Sequence, residues 1–131
     1  MKARFLLPAG AVSALAAITF SVAACGGSDS SSTPPSIPAG ALEVDAVAGL
    51  KFDKSEYTAT AGSVTIAYFN EDTQRHTLVV KDADGIVIGS KLEVNKKNDL
   101  DLATFQLTAG TYEIYCDVPG HGGMKATLVV S

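Results

Sequence analysis

The sequence closes on Tyr112–Val130, YEIYCDVPGHGGMKATLVV, and this stretch decides how the rest of the chain is read. Tyr112, Ile114 and Cys116 alternate with Glu113 and Tyr115; Ala126, Leu128 and Val130 alternate with Thr127 and Val129. A period of two marks a strand with one face turned to a core. Pro119, Gly120, Gly122 and Gly123 lie between the two runs and supply turn chemistry. The stretch therefore reads as two strands around a turn. Cys116 is in phase with the inward residues Tyr112 and Ile114, which puts its thiol at the rim of the core. His121 and Met124 follow within the same loop.

The same period recurs upstream. Leu42, Val44 and Ala46 form one apolar face, Val64, Ile66 and Tyr68 another, and His76, Leu78 and Val80 a third. Turn signals separate these runs at Gly62, Asn70–Gln74, Asp82–Gly85, Asn95–Asp99 and Thr108–Gly110. No long stretch has a period of 3.6, so no helix is expected in this region. Seven to eight short strands at this spacing predict an all-β fold, a Greek-key β-sandwich. Two places break the pattern. Leu100 and Leu102 set a phase that Phe105 and Leu107 do not keep, which predicts a β-bulge near Ala103 or Thr104. Ile88–Asp99, IGSKLEVNKKND, reads as a long connection, with Lys96 and Lys97 in solvent.

The sandwich is assigned to residues 41–131. Before it, Gly26–Gly40, GGSDSSSTPPSIPAG, is too poor in apolar side chains to offset the entropy of ordering, and reads as a tether. Earlier still, Lys2 and Arg4 precede an apolar run that ends on small residues, the pattern of a signal peptide over residues 1–24. A transmembrane helix is the competing reading, but Pro8, Gly10 and several alanines make the run only weakly apolar. Val22–Cys25, VAAC, resembles the lipobox of bacterial lipoproteins. That resemblance implies cleavage before Cys25 and acylation of its thiol. Residues 25–40 would then tether the domain to the outer face of the membrane, in the periplasm or its equivalent, since two or three acyl chains anchor durably.

Charge narrows the partners. Loss of Lys2 and Arg4 lowers the basic residues from ten to eight against fourteen acidic ones, a net charge near −6. No basic stripe is present to neutralise phosphates, so nucleic acid is not expected as a partner. The chain has two cysteines. With Cys25 acylated, Cys116 has no disulfide partner, and a lone thiol outside the cytoplasm asks for another use.

That use is metal binding. Residues 41–131 hold two histidines, His76 and His121, and one cysteine, and all three fall beside strand ends. His76 opens its strand, and closes the set if that strand lies next to the last two. Two imidazoles, a thiolate and a thioether suit copper; two histidines and a cysteine with a weak axial methionine form a blue-copper arrangement. Zinc takes His and Cys but rarely Met. Singly, each residue has a plainer reading: a buried small hydrophobe, a core histidine, core filling by Met124. Their convergence is what points to copper.

Ala41–Val130 resembles the cupredoxins, the small blue copper proteins of the plastocyanin/azurin type. The resemblance rests on Gly110–Met124, GTYEIYCDVPGHGGM, on Asn70 and His76 in NEDTQRHTLVV, and on Phe52, Gly62 and Val64 earlier. It implies His76, Cys116, His121 and Met124 as ligands of one copper ion, with Asn70 and Thr77 supporting them. Three departures stand out. His121 and Met124 are closer together than is usual in the family. Thr77 replaces an Asn that braces the cysteine loop, and its hydroxyl is expected to substitute in part. Lys54 replaces a common proline.

One-electron transfer is the expected function, in a monomer that meets redox partners near His121. The small residues around His121 would leave its ring edge close to the surface. Asp117, the nearest carboxylate, is a candidate for orienting a partner or simply a solvated turn residue. Catalysis is not expected: multicopper enzymes need more histidines, and a binuclear centre needs a second cysteine in the loop. The alternatives are a copper-handling lipoprotein, for delivery or sequestration, and a metal-free adhesive sandwich.

Overall fold

The structure, a computed structural model, describes residues 35–131. The expected signal peptide, the VAAC box with Cys25 and most of the tether lie outside these residues. The apolar alternation read from the sequence builds nine strands, and no helix occurs among the described residues. They are β1 (Leu42–Val47), β2 (Lys51–Phe52), β3 (Glu56–Ala59), β4 (Gly62–Asn70), β5 (His76–Lys81), β6 (Val87–Val94), β7 (Leu100–Leu107), β8 (Gly110–Tyr115) and β9 (Lys125–Val130). The count exceeds the expected seven to eight because β2 and β3 are too short to show a period of their own.

Two sheets result, ordered β2-β1-β4-β7 and β3-β9-β8-β5-β6. β1 runs parallel to β4 and β3 parallel to β9; the other pairs are antiparallel. The chain crosses to the second sheet for β3, returns for β4, crosses again for β5 and β6, returns for β7 and ends in the second sheet with β8 and β9, so neighbours in space are often distant in sequence. Each sheet turns an apolar face inward. Val44, Ile66, Tyr68 and Phe105 from one meet Leu78, Val80, Ile114 and Leu128 from the other in a single core. Cys116 and Met124 extend that core at one pole.

Two expectations are corrected here. β4 and β7 pair in unbroken register from Gly62↔Leu107 to Phe69↔Leu100, so there is no bulge at Ala103 or Thr104. Ala103, Phe105 and Leu107 share the inward face, and Leu102 is an apolar side chain on the outward one, 42% exposed. The irregularity sits in the stretch read as a long connection. β6 is a strand, and its pairing with β5 shifts: from Leu78 to Val80 the chain advances two residues, while the partner moves four, from Leu92 to Ile88. Gly89, with φ of 65°, lies in this shift. A Cβ at Gly89 would stand 2.8 Å from Cδ1 of Phe105, so both the backbone and the available space demand glycine. The bulge destroys the alternation of Ile88–Leu92, which is why this strand could not be seen in the sequence.

The register places the expected site residues at one pole. Asn70 ends β4, His76 opens β5 opposite Val94 at the end of β6, and Tyr115↔Lys125 is the last pair of β8 and β9. β5 lies directly against β8, so His76 and Cys116 come from adjacent strands, 40 positions apart in sequence.

Candidate metal centre

His76 is fully buried and its two ring nitrogens meet different surroundings. Nε2 lies 3.0 Å from Oδ2 of Asp72, while Nδ1 has no hydrogen-bond partner. A carboxylate only accepts, so Nε2 carries the proton and Nδ1 presents a lone pair. The loop that places Asp72 is tied by Asn70. The Asn70 side-chain oxygen accepts the Asp72 N–H at 2.9 Å, and its amide donates to the Gln74 carbonyl at 2.8 Å. Asp72 also accepts the Thr73 N–H at 2.7 Å. The bonds to His76 and then to Thr73 hold the Asp72 carboxyl below the usual carboxylate range. Asn70 itself is locked to the Asn95–Asp99 turn: its N–H donates to the Asp99 carbonyl, and its carbonyl accepts from Asn98.

Cys116 continues the inward face of β8 and is 4% exposed. Its N–H donates to the Met124 carbonyl at 3.0 Å, extending the β8–β9 ladder by one pair and closing the loop between them. The loop folds back through two turns. The His121 N–H donates to the Val118 carbonyl at 3.0 Å, with Pro119 and Gly120 at the corner. Gly120 has φ of 91°, as the third residue of a type II turn requires. The Met124 N–H then donates to the His121 carbonyl at 2.8 Å. Together the two turns point the His121 ring back over the core, where it is 7% exposed and its Nδ1 lies 3.6 Å from Cys116 Sγ. The two imidazole centroids are 4.9 Å apart.

Thr77 joins the two walls of the site. Its N–H points at Cys116 Sγ from 3.4 Å, and its hydroxyl lies at the same distance. The hydroxyl has one hydrogen, and the Asp117 carboxylate at 2.6 Å is the better acceptor. The hydroxyl also receives the Asp117 N–H at 2.9 Å. The sulfur is therefore served by the Thr77 N–H, while the side chain ties β5 to the cysteine loop through Asp117. Asp117 is a structural residue: Thr77, then Lys91 at 3.0 Å, hold its carboxyl below the usual range.

One ligand atom each from His76, Cys116 and His121 falls within 4.8 Å of the others. Cys116 is a free thiol among the described residues. The unpaired Nδ1 of a sealed His76 is a polar atom that folding leaves without a partner, and a metal ion between the two imidazoles and the sulfur would supply one. Imidazole and thiolate donors fit copper, and the three residues form a possible copper site. Met124 is fully buried beside the set, with its backbone bonded to both Cys116 and His121. Asn70 ties the loop that carries Asp72, and Thr77 lies against Cys116. Asp72 was not anticipated: an acid four residues before a histidine is an ordinary spacing, and only the closed loop brings the two together.

Comparison with known proteins agrees. A sequence model described as copper binding proteins of the plastocyanin/azurin family matches residues 38–131. Among solved structures, a reduced tryptophan-to-tyrosine variant of amicyanin is 24% identical, covering 72% of this chain and 86% of its own, with a TM-score of 0.55. Auracyanin B is 22% identical over 74% and 92%, with a TM-score of 0.54. An oxidized proline-to-alanine variant of amicyanin is 26% identical over 72% and 86%, at 0.53. No curated protein sequence matches the chain significantly.

Proposed function

The chain belongs to the plastocyanin/azurin family of copper-binding proteins, and from that premise we propose that it carries single electrons between redox proteins at the outer face of a cell membrane. The convergence of His76, Cys116 and His121 carries this reading. Bound there, copper supplies a one-electron couple between Cu(II) and Cu(I). The protein's own residues do the rest. Cys116 would provide the thiolate, His76 and His121 would provide Nδ1 lone pairs, and Met124 would add its thioether as a weak further ligand. The ladder pair Cys116–Met124 and the Thr77–Asp117 brace hold these donors in one arrangement whatever the charge at their centre, which keeps reorganisation small. Water is kept out, because the three donors lie between fully buried and 7% exposed. His121 is the least covered of them, with exposed Pro119, Gly120, Gly122 and Gly123 beside it. An electron would pass through its ring edge to a partner docked on that surface.

Such burial disfavours the copper-handling reading, since a delivered ion needs an open route out. No nucleophile with a free base remains beside the site once the imidazoles are engaged, so the chain is proposed as a carrier and not an enzyme. Anchorage would come from Cys25 through the residue 25–40 tether. β1 begins at the pole opposite the site, with Leu42 beside Ile66 and its end, Ala46, beside Asn70. A tether entering there would leave the His121 surface free for partners.

The test is addition of Cu(II) to the purified protein. Intense visible absorption from thiolate-to-copper charge transfer, lost on reduction and regained on oxidation, is the expected result. A colourless protein, or prompt surrender of the ion to a chelator, would refute the carrier reading. For the anchor, C25A should move the protein from the membrane to the soluble fraction.

A further inference from the structure

The bond between Asp72 and His76 does more than the proposed ligand set requires. A neutral acceptor would suffice to keep the proton on Nε2 and turn Nδ1 toward the site. This chain uses a buried carboxylate whose two oxygens each accept from an N–H, Oδ2 from His76 Nε2 at 3.0 Å and Oδ1 from the Thr73 backbone at 2.7 Å, so neither is left to carry a proton. The ionised form is therefore built in.

We propose that Asp72 is a positioning residue that acts through His76: it locks the imidazole as the Nε2–H tautomer before any metal arrives, and its negative charge biases the site toward the higher copper charge. The inference rests on the copper reading above. Its physical basis is short. A carboxylate bonded to the far nitrogen raises the basicity of a ligand imidazole, and such partners are worth about 10- to 100-fold in metal affinity. A negative charge one ring away favours an ion of charge two over an ion of charge one, and the dry surroundings weaken the screening. The potential is thus lower than His76 alone would set.

The experiment compares the copper-loaded native protein with D72N. With the amide oxygen turned to Nε2 the ring keeps its tautomer; the charge is lost, and with it the bond from the Thr73 N–H to the other carboxylate oxygen. The dissociation constant for Cu(II) should rise about tenfold or more, that for Cu(I) by less, and the potential should move upward. Each tenfold difference between the two ions is read as 59 mV. Charge-transfer absorption should persist, because the ligands are untouched. An unchanged potential in a blue D72N protein overturns this inference and leaves the carrier reading standing. A native protein that takes up no copper overturns both. If D72N does not fold, the metal-free native protein decides by its imidazole ¹⁵N shifts: Nε2 protonated and Nδ1 bare is the expected pattern, and the reverse tautomer rules the lock out.

Discussion

The two walls of the copper site are built by different means. The inner wall, His76 with Asp72, Asn70 and Thr77, is sealed and held by side-chain bonds, two within the Asn70–His76 loop and one from Thr77 to Asp117, 40 positions on. The outer wall, Cys116–Met124, is held mainly by its own backbone: one ladder pair and two tight turns. The inner wall is a cross-linked block, and the outer wall is a short lobe shaped by Pro119 and its glycines. Rigidity in the first comes from tertiary bonds, and in the second from local turn chemistry.

Substitution of the two histidines tests this difference hardest. In the metal-free protein H76A empties a fully buried position and strips Asp72 of its partner. A loss of about 3 kcal/mol is expected. H121A empties a position that is 7% exposed but leaves no buried carboxylate without its bond, and should cost less, about 2 kcal/mol. Urea unfolding monitored by tyrosine fluorescence reads both; equal costs would erase the distinction drawn between the walls.

T77V probes the seam where the walls meet. It keeps the N–H aimed at the sulfur but deprives Asp117 of its hydroxyl partner. About 1.5 kcal/mol should be lost, with the copper-loaded absorption band shifted but present. Next comes G120A, against G122A as its comparison. Alanine at Gly120 must adopt a φ of 91°, at a cost of about 1 kcal/mol. Gly122 has no such requirement and open space around it, so its replacement should be nearly neutral. Similar melting temperatures for the two would mean that local turn geometry does not hold the outer wall.

The smallest effect contrasts two carboxylates near the inner wall. Asp72 has partners; Asp45, beside Phe69 in the ladder, has an Oδ1 with none. Burial first, then Asp53, Glu43 and Glu71, push the Asp45 carboxyl up to about 6 from an ordinary 3.8. A pKa raised on folding means that the folded state holds the proton more tightly, so stability is greatest below pH 4 and declines as pH rises through 6. D45N removes this decline. It should gain under about 1 kcal/mol at pH 7, after allowance for solvent screening of a partly exposed group, and nothing at pH 4. A gain independent of pH would assign the effect to packing instead.

Most of the outer wall was legible in the sequence, because its determinants are local. The alternation around Cys116, the turn residues, and His121 and Met124 all lie in one run, and β8 and β9 fell where the period put them. His76 was legible too, as a strand-opening histidine. The failures were non-local. Leu102 misled because an apolar side chain on an outward face has the same letter as one facing the core. β6 was hidden because its bulge follows from the ring of Phe105 pressing on Gly89, and nothing within Ile88–Asp99 announces that ring. Asp72 looked like any loop acid until Asn70 closed the loop over it.

Strand period, turn chemistry and the choice of donor atoms belong to the chain taken alone, since each depends on residues within a few positions of one another. Whether the Thr77 hydroxyl serves sulfur or carboxylate was settled only when β5 came to lie beside β8, and where β6 must kink only when Phe105 of β7 came against Gly89. Those outcomes turn on distances between groups far apart in sequence, and a hydrogen bond or a steric clash exists only once packing has set such distances.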